Sequence, residues 1–146
     1  MLFVHGFRFS RRRVVKACWA LRQLTEQISR DIAVVSFLWP SHRHHKSYAK
    51  ARGHANESAT FLARLLRRLA AHRCTVRLVA HSLGCRVALA ALREAQVAYL
   101  ALLAAAVKDD CFSPEGEFVE SRLAAAQLDV FFSPKAHATR AMAFTA

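Results

Sequence analysis

Apolar and polar positions along the chain form two alternating kinds of segment. Short, nearly continuous apolar runs occupy residues 2–4, 32–38, 76–80, 97–105 and 128–132. Runs of this length, rich in β-branched and aromatic residues, are expected as strands buried on both faces. The alanines of 97–105 would also suit a helix. Between these runs the apolar period lengthens. Over 14–24, Val15, Cys18, Trp19 and Arg22 recur three and four apart, and over 56–72 Ala59, Leu62, Leu66 and Leu69 mark one face. Arg64, Arg67 and Arg68 lie largely off that face, as an amphipathic helix requires. Residues 85–95 read as a third helix, and 123–127 as the close of a short fourth.

The alternation predicts an α/β fold: a mostly parallel sheet of about five strands, flanked by helices on both faces. In such sheets ligands bind beyond the carboxyl ends of the strands. The positions of interest are therefore His5-Gly6-Phe7, the loop from Ser41, Ser82, Lys108-Asp109-Asp110, and Ser133-Pro134 onward. The 146 residues suffice for one domain over 1–146, with one ordinary core.

Composition narrows the class. With 54% hydrophobic residues, 4 Gly and 3 Pro, the chain is neither disordered nor collagen-like. The longest charge-free apolar run, 97–107, is too short for a membrane span, which needs about 20 residues. The amino terminus has its charges after its apolar residues, the reverse of a signal peptide. Cys18, Cys74, Cys85 and Cys111 lie in or beside apolar segments, without zinc-ligand spacing, and are expected as buried reduced thiols. A cytoplasmic location follows as the expectation. The net charge of +12 invites nucleic acid or an anionic membrane as partner. Because the basic residues are spread along the chain, a solvated basic surface is the expected reading, and nucleic acid is not the expected partner.

The chemistry concentrates at Ala80-His81-Ser82-Leu83-Gly84, one substitution from G-x-S-x-G. A serine on a strained turn lets a strand pass at once into a helix and lifts its hydroxyl above the sheet. The residues two before and two after it, Ala80 and Gly84, are small, as the close approach there demands. The Leu83 N–H would face a developing oxyanion at the helix start. The plainer alternative is a serine that merely caps a helix. The segment follows an expected strand and precedes an expected helix, which is the context the motif needs.

FVHGF at 3–7, SFLWPS at 36–41, YAKARGHANESA at 48–59 and VRLVAHSLGCRVALAALR at 76–93 together resemble the α/β-hydrolase superfamily. More narrowly, they resemble a bacterial family of esterase-like and lipase-like hydrolases of unknown function. The similarity runs from Leu2 to about residue 140. It implies Ser82 as nucleophile, Phe7 and Leu83 as backbone oxyanion donors, a small carboxylic ester as substrate and no cofactor. His5 is expected to help hold the HGF loop, and His81 to point away from Ser82.

A serine nucleophile needs a base and an orienting acid, here in the order Ser, acid, His. The resemblance places an acid near Ala136 and a histidine after one further strand, and neither is present. Asp109 or Asp110 could serve as acid and His137 as base, which makes Ser82, Asp110 and His137 the candidate triad. The plainer readings are a solvated turn and an exposed loop histidine. Asp31 and Asp129 are expected before their strands, at the wrong sheet edge. His42, His44 and His45 lack a partnering carboxylate and sit beside Arg43 and Lys46, so no metal site is expected. Two functions remain open: a serine esterase working through an acyl-enzyme, or a catalytically deficient or truncated hydrolase-like protein acting as a binding module.

Overall fold

The computed structural model describes residues 1–41 and 47–132. Five strands, β1 (Leu2–Val4), β2 (Val35–Phe37), β3 (Arg77–His81), β4 (Val97–Leu103) and β5 (Ala125–Phe131), alternate with four helices. The helices are α1 (Arg11–Glu26), α2 (Tyr48–Ala71), α3 (Leu83–Ala91) and α4 (Val119–Leu123). All strand pairs are parallel, in the order β2-β1-β3-β4-β5. The chain runs outward from β1 to β2, then returns across β1 to β3 and continues the other way. Connections leaving the carboxyl ends of β1 and β3 therefore diverge, and a crevice opens between them.

Strand periodicity divides the core in two. Leu2, Val4, Leu78, Ala80, Leu100 and Leu102 face α2 and α3 in the larger cluster. Phe3, Val79 and Ala101 face the opposite way, against Ala17 and Leu21 of α1. Helices thus cover both faces, as expected.

Several boundaries differ from the sequence-based expectation. In α1 the face turned to the sheet carries Val14, Ala17, Leu21 and Thr25, whereas Val15 and Trp19 are exposed. Both sets have helical spacing. Helix α2 begins eight residues before the expected start, capped by the Ser47 side chain, which accepts from Lys50 N–H. Its first turns bury only Ala51 and Ala55, so no large apolar residue announced them. At the far end, α4 stops at Leu123. Residues 125–127, expected as helix, instead pair with β4 through Val97↔Ala125 and Tyr99↔Gln127. A ladder of backbone hydrogen bonds overrides the helix propensity of alanine there. Asp129 accordingly lies inside β5 rather than before it, accepting from the Tyr99 hydroxyl at 2.9 Å. Of the four free cysteines, Cys85 and Cys111 are buried, Cys18 is half-buried and Cys74 is exposed, so the expectation of four buried thiols fails at Cys74.

A buried arginine fastens the helix that follows Ser82. Arg86 Nε donates to Asn56 Oδ1 of α2 at 2.8 Å, and its Nη1 donates to Glu117 Oε2 at 2.9 Å. The Nη2 of Arg86 donates to Glu117 Oε1, which makes the pair bidentate. Phe118 lies under the guanidinium at 5.3 Å. Burial alone would raise the Glu117 pKa, but hydrogen bonds and charge from Arg86, with Arg52 and Arg93 behind it, hold it below the ordinary carboxylate value. A depressed carboxylate contributes stability above its unfolded pKa, about 4.3, and loses it as pH falls through the folded value. Arg86→Met is therefore expected to cost about 2–3 kcal/mol near neutral pH, less than a wholly buried pair because Glu117 is partly exposed. Below about pH 4 the wild-type advantage should shrink as Glu117 protonates. Urea titrations of both proteins across pH 3–7 check this. A pH-independent difference would remove Glu117 from the account.

Candidate active site

The crevice between β1 and β3 gathers most of the sequence-predicted residues. Ser82 joins β3 to α3 with φ 52 and ψ −123, a region that non-glycine residues rarely occupy and that costs about 1–3 kcal/mol. Its backbone is tied on both sides. Ser82 N–H donates to Leu103 O at 2.9 Å, and Ser82 O accepts from Cys85 N–H at 3.0 Å and Ala106 N–H at 3.2 Å. The side chain makes no capping hydrogen bond, which removes the helix-cap reading of this serine. Arg8 and Ala104, in the segments after β1 and β4, also have positive φ, 58 and 46, as does Arg73, before β3, at 56.

Two glycines allow the crevice walls to touch. A Cβ on Gly84 would stand 2.5 Å from both Val4 O and His5 O. The end of β1 thus demands a small residue at 84. Ala80 is fully buried, and its carbonyl accepts from the Cys85 thiol at 3.3 Å. A Cβ on Gly6 would stand 2.8 Å from His81 Nδ1 and 2.9 Å from Ser82 Cβ. Gly6 therefore lays the HGF loop directly against the serine. Among the described residues, neither Phe7 N–H nor Leu83 N–H donates a hydrogen bond. Leu83 N–H is one of the unpaired donors that open every helix.

His5 is 1% exposed and works as a brace. Trp39 N–H donates to His5 Nε2 at 3.3 Å, so Nε2 accepts and the proton sits on Nδ1, facing Gly6 O at 3.1 Å and Ser41 Oγ at 3.4 Å. The Trp39 indole N–H donates to His5 O at 2.7 Å, and its ring stacks on the imidazole. Burial lowers the His5 pKa against the raising effect of the Gly6 bond, which keeps the ring neutral. The Trp-Pro-Ser segment thus locks the HGF loop from the neighbouring strand end.

Phe9 and Tyr48 escaped sequence reasoning, and Ser41 was named there only as the start of a loop. Phe9 lies 6.0 Å from the His5 ring and 5.6 Å from the His81 ring. Ser41 is buried under His5. Tyr48 meets Phe7 edge-on at 5.7 Å. The alternation Phe7, Phe9 in HGFRF was the available signal for the first. Burial lowers the pKa of His81, and its Nδ1 is buried without a hydrogen-bond partner among the described residues.

The candidate acid and base are less assembled. Asp109 and Asp110 are exposed in the turn after β4, at the same sheet edge as Ser82. His137 lies outside the described residues, as do His42, His44 and His45. Among the described residues Ser82 Oγ is not hydrogen-bonded to an imidazole. A groove of about 570 Å³ runs between α2, α3 and α4, lined in part by Leu66, Arg67, Leu92 and Glu94. It lies at the carboxyl ends of α2 and α3, remote from the serine, and holds no nucleophile.

No helix among the described residues is long and apolar enough to cross a membrane. No curated protein and no solved structure gives a match to the chain. The family described as alpha/beta hydrolase of unknown function (DUF900) matches residues 1–142. With the β2-β1-β3-β4-β5 parallel sheet and the strained serine at its crevice, the chain belongs to this α/β-hydrolase family.

Proposed function

We propose that the protein is a serine hydrolase that cleaves small carboxylic esters through an acyl-enzyme on Ser82. The observation that supports this reading is the strained Ser82 backbone with Gly6 against its Cβ, beside Phe7 and Leu83, whose N–H groups donate no hydrogen bond among the described residues. In the proposed reaction Ser82 Oγ attacks the ester carbonyl and a base takes its proton. The carbonyl oxygen becomes an oxyanion that Phe7 and Leu83 N–H receive. Collapse expels the alcohol with a proton from the base, and water then releases the acid by the same sequence. Each oxyanion donor of this kind is worth about 10²–10³ in rate. His5 positions the loop that carries Phe7, and its neutral, fully engaged ring leaves it no role as base.

We assign the base to His137 and the acid to Asp110, in the required chain order. His137→Ala is expected to abolish turnover of 4-nitrophenyl acetate, and unchanged turnover would remove His137 from the site. A fluorophosphonate should label the wild-type protein at Ser82, located by peptide mass spectrometry. The second reading, a catalytically deficient binding module, is favoured by the lack of an imidazole on Ser82 Oγ among the described residues. Absence of labelling in well-folded protein would decide for it.

A further inference from the structure

Two cations each follow, by two residues, a position that touches Ser82. Gly6 abuts Ser82 Cβ, and Arg8 follows it by two residues, exposed, with φ 58. Ala106 N–H donates to Ser82 O, and Lys108 follows it by two residues, also exposed. Arg11, Arg12 and Arg13 form the first turn of α1, which begins where the β1 loop ends. All three are exposed, and that turn contains no acid.

This arrangement inverts the usual one. Acidic side chains suit a helix start and cations disfavour it, because the macrodipole is positive there. None of these five cations takes part in an ion pair among the described residues. Among the described residues Asp109 and Asp110 stand beside Lys108, with Glu115 farther along the same loop, fewer acids than these five cations. Unpaired exposed cations add little to folding stability. Around a crevice they concentrate anions and speed their arrival, an effect that salt removes. A guanidinium also offers paired donors that match a carboxylate or phosphate.

We propose that the ester taken at Ser82 is anionic: a small, soluble carboxylic ester carrying a carboxylate or phosphate that Arg8 and Lys108 engage. This rests on the reading of Ser82 as a nucleophile. The anionic group binds at the rim, the scissile carbonyl sits over Ser82, and Arg11, Arg12 and Arg13 extend the attracting field.

Two matched pairs of substrates test it. Mono-4-nitrophenyl glutarate against 4-nitrophenyl pentanoate puts the charge on the acyl side. The pair 4-acetoxybenzoate and 4-acetoxybenzamide puts it on the alcohol side. After subtraction of spontaneous hydrolysis, the anionic member of at least one pair should show kcat/KM about 10-fold higher at low salt. That advantage should fall several-fold in about 0.5 M NaCl. The variant Arg8→Asn/Lys108→Gln should bring the anionic-to-neutral ratio close to one, with asparagine chosen because it tolerates positive φ. A ratio at or below one in both pairs, or one that the variant leaves unchanged, would overturn the inference. Neutral fluorophosphonate labelling runs alongside. Labelling of Ser82 without anionic preference overturns the inference alone, whereas no labelling of folded protein overturns the nucleophile reading and this inference with it.

Discussion

Ser82→Ala is expected to abolish fluorophosphonate labelling and to lower 4-nitrophenyl acetate turnover by at least about 10³-fold. The loss should be large because the oxyanion donors have nothing to stabilise until a nucleophile attacks. Some acceleration over water can persist, since Phe7 and Leu83 N–H groups remain in place. The fold should tolerate the change, because the Ser82 side chain makes no hydrogen bond among the described residues. Alanine at φ 52 is as strained as serine, so thermal unfolding should move little. Ser82→Gly separates the two roles further. It should raise stability by up to about 1–3 kcal/mol through relief of the strained backbone, while remaining as unreactive as alanine. A Ser82→Ala protein with wild-type turnover would end the serine-hydrolase proposal.

Gly84→Ala should behave in the opposite sense from an ordinary helix substitution. In an open helix, glycine to alanine stabilises by about 1 kcal/mol. Here the added methyl would stand 2.5 Å from two backbone oxygens, Val4 O and His5 O, neither of which can rotate away. Helix α3 and the end of β1 must separate, at a cost of about 2–3 kcal/mol. The same displacement carries the HGF loop off Ser82, so the rate of fluorophosphonate labelling should fall with stability. Gly53→Ala is the internal control. It lies within α2 with nothing within 4 Å of the added carbon, and should stabilise by about 1 kcal/mol. Denaturant titrations of the two variants give opposite signs if the close approach of β1 to α3 is real. Equal shifts would contradict it.

What was legible in advance followed from short-range physics. Strands buried on both faces demand continuous apolar runs, so 2–4, 76–80 and 97–103 announced themselves. The small residues around Ser82 announced the turn, and its φ of 52 is the strain that such a turn stores. Elements without large apolar side chains were poorly legible. The start of α2 buries alanines alone, and Ala125–Gln127 follows its neighbour β4 against its own propensity.

The sequence by itself determined the alternation of strand and helix, and the tight turn at Ser82 beyond the carboxyl end of β3. These depend on periodicity and on the steric needs of one turn, both written into consecutive residues. Tertiary structure alone decided what surrounds that serine. It ordered the sheet so that β1 lies beside β3, and brought Gly6 against Ser82 across more than seventy residues of chain. It set Trp39 and Ser41 on His5, and brought Ala106 N–H onto Ser82 O. Such contacts join residues remote along the chain, and no local pattern encodes them. The physical reason is that strand order and register choose which loop ends meet.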